Sequence, residues 1–213
     1  PNLDYKIMQG NSLIESFQGL DLSELTYKRE SKKDRGEVML FDDEKNRLQK
    51  TVSQLLSTYY SCCDHDKKVR LQQQISDTIR QQLEAQFVNS SILTKLKNID
   101  LAGNSQFFLW HTWFSDVFNR GDGKNGFDIV IGNPPYGANI DELVHIYKKK
   151  YPTAIKNYAE IYKLFFAHCF YISGYNSIVT LITPNTYISQ PRYKDIRQLL
   201  IEKCFLKIVN LYK

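Results

Sequence analysis

FDIVIGNPPYG, residues Phe127 to Gly137, joins an apolar run to a double proline with no spacer between them. The run Phe127–Gly132 follows a glycine-rich loop, RGDGKNG from Arg120 to Gly126. A short apolar stretch bounded in this way predicts a strand buried on both faces, as in parallel sheets. Pro134 and Pro135 fix φ and can continue neither a ladder nor a helix interior. They predict a rigid loop at the carboxyl end of the strand, which is where ligands bind in open α/β sheets.

Such a loop can hold polar groups still. Asn133 offers a side-chain carbonyl, Pro134 a backbone carbonyl, and Tyr136 a flat ring face. An exocyclic amine on a planar ring can donate its two N–H bonds to the two carbonyls while the ring stacks on Tyr136. The nitrogen lone pair is then aimed at an electrophile. Asn133 cannot titrate and so cannot serve as a base. None is required, because the nitrogen becomes strongly acidic once methylated and sheds its proton afterwards. Catalysis of this kind is positioning plus electrostatic alignment. The competing structural explanation is a proline-rich turn whose Asn caps a helix, and the apolar strand leading into the loop argues against it.

Downstream of the loop, helices and strands alternate. Tyr158–Ile172 predicts a helix with Ile161, Phe165, Cys169 and Ile172 on one side, and Ser177–Thr183 a buried strand stopped by Pro184. Tyr193–Cys204 predicts a helix and Leu206–Tyr212 a last strand. This alternation predicts a parallel α/β sheet. Upstream, Tyr5–Gln9 reads as a short strand ended by Gly10-Asn11-Ser12, and Lys28–Glu37 as a charged solvated run. Leu48, Val52, Leu55, Leu56 and Tyr59 share one helical face, as do Leu71, Ile75, Ile79, Leu83 and Phe87. An antiparallel helical hairpin over about residues 44–98 follows. The aromatic stretch FFLWHTWFSDVF, Phe107–Phe118, reads as core packing before base stacking.

Composition narrows the field. With 28 basic and 23 acidic residues the chain carries +5, compatible with phosphate contact. Its 4 Cys include no CxxC pair, and Cys62 and Cys63, being adjacent, do not suit a tetrahedral metal site with His65 and Asp66; no metal is expected. No apolar run reaches the roughly 18 residues of a membrane span, and no signal-peptide pattern opens the chain.

FDIVIGNPPYG resembles motif IV of the adenine-N6 DNA methyltransferases of bacterial restriction–modification systems, especially the type IIG-like enzymes. YKIMQGNSL (Tyr5–Leu13) resembles their motif III, and FFLWHTWFSDVF the aromatic stretch ahead of motif IV. NYAEIYKLFFAHCFYIS and SIVTLITPNTYIS resemble the helix and strand that follow it. The resemblance implies a partial S-adenosylmethionine-dependent, Rossmann-like methyltransferase domain over residues 1–213, with the helical hairpin as an insertion. It implies that Asn133, Pro134, Pro135 and Tyr136 are the catalytic set, Asn133 and Pro134 binding the target amine and Tyr136 stacking on an adenine flipped from double-stranded DNA. It also implies that Asn11 and Ser12 contact S-adenosyl-L-methionine. The family's glycine-rich cofactor loop has no counterpart here, so a fragment inactive by itself, with an open sheet edge prone to self-association, is expected. A bacterial cytoplasmic setting is implied. The same NPPY signature serves protein-glutamine and RNA amino-methyltransferases, which are the alternative, together with a non-catalytic interaction fragment.

Overall fold

A computed structural model of the chain describes residues 5–23, 40–86, 90–121 and 123–203. Two units form, Pro1–Asn119 and Arg120–Lys213.

In the first unit, Gln18 and Gly19 both have positive φ (49° and 85°), which is what a two-residue hairpin turn with the native strand twist requires. They join β1 (Ser16–Phe17) to β2 (Leu20–Asp21), a small antiparallel pair that the sequence pattern did not announce. Two long helices follow, α1 (Leu40–Ser61) and α2 (His65–Gln86), then α3 (Ser90–Lys97). The side chains of Gln49 and Gln82 hydrogen-bond each other, as do those of Tyr59 and Gln72, so α1 and α2 run antiparallel. Their predicted faces meet: Leu48, Val52, Leu56 and Tyr59 are buried, as are Leu71, Ile75, Ile79 and Leu83. Leu55 is only half-buried, and Phe87 lies outside the described residues.

The aromatic stretch folds as two single turns, α4 (Trp110–Trp113) and α5 (Ser115–Phe118). Phe107, Phe108, Leu109, Trp113 and Phe118 are buried, so the core-packing expectation holds. Glu15 and His111, also buried, lock this segment to the N-terminal turn. Glu15 accepts the His111 backbone N–H and meets His111 Nδ1, each at 2.8 Å. Tyr5–Gln9 is not a strand. Gln9 makes only an isolated parallel bridge to Gly103, and Tyr5 packs against Tyr59 and Trp113.

The second unit contains β3 (Phe127–Gly132), α6 (Val144–Lys150), α7 (Ile161–Ile172), β4 (Ser173–Leu181), α8 (Thr186–Ser189) and α9 (Lys194–Lys203). β3 and β4 pair in parallel, with Ile129 opposite Ile178, Val130 opposite Val179 and Gly132 opposite Leu181. Gly126 and Gly174 let the strand entrances cross closely. A side-chain carbon on Gly126, itself at φ 141°, would sit 2.5 Å from the backbone of Ser173 and Gly174.

Helices lie on one side of this pair. Tyr162, Phe166, Tyr187, Tyr193, Ile196, Leu199 and Leu200 form a core against which Leu181 packs. The other side is open, with Ile129 60%, Ile131 77% and Ile178 61% exposed. The expectation of a strand buried on both faces is therefore corrected: the apolar run fixes the strand, but among the described residues only one of its faces has helices to meet. Among the described residues β3 pairs with β4 only. α7 is buried on nearly all sides, including Lys163 and His168, whereas Ile161 and Phe165 are only half-buried. The predicted strand Leu206–Tyr212 lies outside the described residues.

Candidate catalytic loop

Asn133 leaves β3 at its carboxyl end. Gly132 O accepts Ile182 N–H at 3.1 Å, which holds the exits of the two strands together. Pro134 is buried beneath the loop, while Asn133, Pro135 and Tyr136 face solvent. Gly137 closes the turn at φ 62°, a conformation that suits glycine. No described helix begins at Asn133, so the helix-capping explanation of this residue has no element to act on.

The Tyr136 ring is 50% exposed, and its hydroxyl is tethered. Tyr136 Oη stands 2.9 Å from Asn133 Oδ1 and 3.0 Å from Ile182 O. The loop thus brings together a carboxamide, the peptide of a buried proline and an aromatic face, and fastens them to both strands. Ile182 is a participant that sequence reasoning missed. Its main-chain N–H and carbonyl act, and main-chain groups leave no side-chain signature.

The same unit holds a buried ion pair that was likewise illegible. Lys163 Nζ on α7 lies 2.8 Å from Asp195 Oδ2 on α9 and donates to Tyr158 O. Asp195 Oδ2 also accepts Asn157 N–H at 3.1 Å. Burial lowers the Lys163 pKa, and the Asp195 charge and hydrogen bond work against that shift. Burial likewise pushes the Cys169 thiol up to about 11, so it is an inert core group at neutral pH.

Asn11 and Ser12 belong to the first unit. Asn11 Oδ1 accepts Leu13 N–H at 3.2 Å in a turn, and Ser12 O accepts the Trp110 indole N–H at 2.8 Å. Both residues are half-buried. Behind the turn, a side-chain carbon on Gly10 would come within 2.7 Å of Phe107 O, so the aromatic segment sits directly against it.

A parallel β–α–β unit with a rigid polar loop at the strand exits defines an α/β protein compatible with a methyltransferase fold. The family model of the Eco57I restriction-modification methylase matches residues 21–213, and the chain belongs to that family. It is thus a methyltransferase of the restriction–modification kind. The match includes the Asn133–Tyr136 loop and the helical hairpin, while Asn11 and Ser12 precede it. No curated protein and no solved structure matches the chain. Among the described residues no helix is long and apolar enough to cross a membrane.

Proposed function

We propose that the loop Asn133–Tyr136 captures the exocyclic amine of an adenine flipped out of double-stranded DNA and serves its N6-methylation. The observation that carries this reading is the loop itself: two prolines hold the Asn133 carboxamide and the half-exposed Tyr136 ring at the carboxyl end of a parallel strand. Asn133 Oδ1 and Pro134 O accept the two amine protons, and Tyr136 stacks on the base, a contact worth about 1–3 kcal/mol. S-adenosylmethionine, when bound, supplies the electrophilic methyl group, and Asn11 with Ser12 would hold its adenine end. The amine attacks through its aligned lone pair and loses a proton to water after transfer, so no titrating side chain is required in the loop.

The setting we infer is a type IIG-like enzyme of the bacterial cytoplasm, with the α1–α2 hairpin inserted between the cofactor-contacting turn and the catalytic loop. Unequal charge supports a polyanionic substrate. Residues 120–213 hold 13 basic and 7 acidic side chains, a net of +6, whereas residues 1–119 hold 15 and 16, a net of −1. The test is to incubate the full-length protein with methyl-labelled S-adenosylmethionine and, in parallel, with duplex DNA, with RNA or with a glutamine-containing peptide, then separate the labelled nucleosides and amino acids. Label in N6-methyl-2′-deoxyadenosine is expected. Label in RNA or in peptide glutamine, with none in DNA, would replace this reading with its alternatives.

A further inference from the structure

The Tyr136 hydroxyl has one proton and two oxygens within reach, Asn133 Oδ1 at 2.9 Å and Ile182 O at 3.0 Å. It cannot donate fully to both. Ile182 O is a main-chain carbonyl at the end of β4 and has no other orientation to offer. The Asn133 carboxamide has one. Turning it end for end exchanges Oδ1 and Nδ2 with almost no change in shape. In the turned form Nδ2–H donates to Tyr136 Oη, and Oη–H donates to Ile182 O, so each donor on the path is used once. Asn133 Oδ1 then points away from Tyr136, and both its lone pairs are open to an incoming donor.

We propose that Tyr136 is a positioning residue as well as a stacking surface: its hydroxyl relays a hydrogen bond from Asn133 Nδ2 to Ile182 O and so presents Asn133 Oδ1 to the substrate amine. This rests on the amine-capture function proposed above. In the orientation that has Oδ1 facing Tyr136, the phenol competes with the substrate for the same acceptor. In the turned orientation the phenol anchors the carboxamide through its nitrogen, and competition becomes pre-organisation. A phenylalanine at this position keeps the ring and loses the relay. Stacking and positioning are thereby separable.

The experiment compares wild type with Tyr136→Phe and Tyr136→Ala in the full-length protein, by steady-state methylation of duplex DNA and by NMR of the Asn133 side-chain amide. Tyr136→Phe is expected to lower kcat about tenfold, the scale of one well-placed hydrogen bond, with KM for DNA nearly unchanged. Tyr136→Ala should raise KM as well. Independently of turnover, wild type should show one Asn133 side-chain amide proton held in a hydrogen bond, and Tyr136→Phe should lose it. An unprotected Asn133 amide in wild type overturns the relay whether or not adenine is methylated. Wild-type kcat in Tyr136→Phe overturns it while leaving amine capture standing. Absence of adenine methylation by the wild type removes the amine-capture function itself, and the amide signal then decides whether the tether exists.

Discussion

The two units of this chain solve the same problem of covering apolar surface in opposite ways. In residues 1–119 the α1–α2 hairpin closes on itself: Val52, Ile75 and Ile79 are fully buried, and net charge is near neutral. Among the described residues of 120–213 a two-stranded parallel sheet buries one face and leaves Ile129, Ile131 and Ile178 open, and residues 120–213 carry the positive charge. The first unit is built from periodic local contacts, the second around a loop that must remain accessible. Rigidity in the second unit comes from elsewhere, through the prolines of the loop and through the buried Lys163–Asp195 pair that joins α7 to α9.

The largest effect that could break this contrast concerns that pair. Asp195→Asn leaves the Lys163 ammonium buried without its counter-charge and should destabilise the second unit by about 3–5 kcal/mol. Denaturant unfolding followed within that unit measures it, and a loss below about 1 kcal/mol would mean the pair is not a strut. Next in size is a matched truncation. Ile75→Ala opens a cavity in the hairpin and should cost about 2–5 kcal/mol, whereas Ile131→Ala, on the open face, should stay within about 0.5 kcal/mol. Equal losses in the two melts would show that the open face is covered in solution.

A smaller effect sharpens the charge contrast. Lys156 and Lys194 line a cavity of about 340 Å³ together with Thr153, Asn157, Gln198 and Glu202, and Arg192 stacks over Tyr158 beside them at 4.5 Å. Replacing Lys156 and Lys194 by Ala should weaken DNA binding regardless of sequence and shallow its salt dependence by up to about two phosphate contacts. The same double truncation at the exposed Lys67 and Arg70 of α2 should leave the salt slope unchanged. A salt titration of duplex binding by the three proteins checks both expectations.

What could be read from the sequence follows the range of each interaction. The hairpin was legible because its apolar residues repeat at helical spacing over two long helices. The Asn133–Tyr136 loop was legible because two consecutive prolines after an apolar run leave the backbone few choices. The Glu15–His111 and Lys163–Asp195 pairs were not, since they join residues 96 and 32 positions apart and carry no local pattern. The apolar composition of Phe127–Gly132 gave the strand and its parallel partner but not the number of faces covered, which depends on what else packs there. Tyr5–Gln9 has strand-like composition, yet Tyr5 takes φ 57° and its ring is drawn onto Tyr59 and Trp113. Tertiary packing decided that segment over its local preference.

The most direct test of the central claim is Asn133→Ala in the full-length protein, measured for kcat on adenine-containing duplex, for cofactor affinity and for thermal stability. Removal of an acceptor aligned on the reacting nitrogen should lower kcat by roughly a hundredfold or more, while cofactor binding and melting stay near those of the wild type. Near-normal turnover with the carboxamide gone would contradict the role assigned to Asn133 and, with it, the reading of the loop as the site of amine methylation.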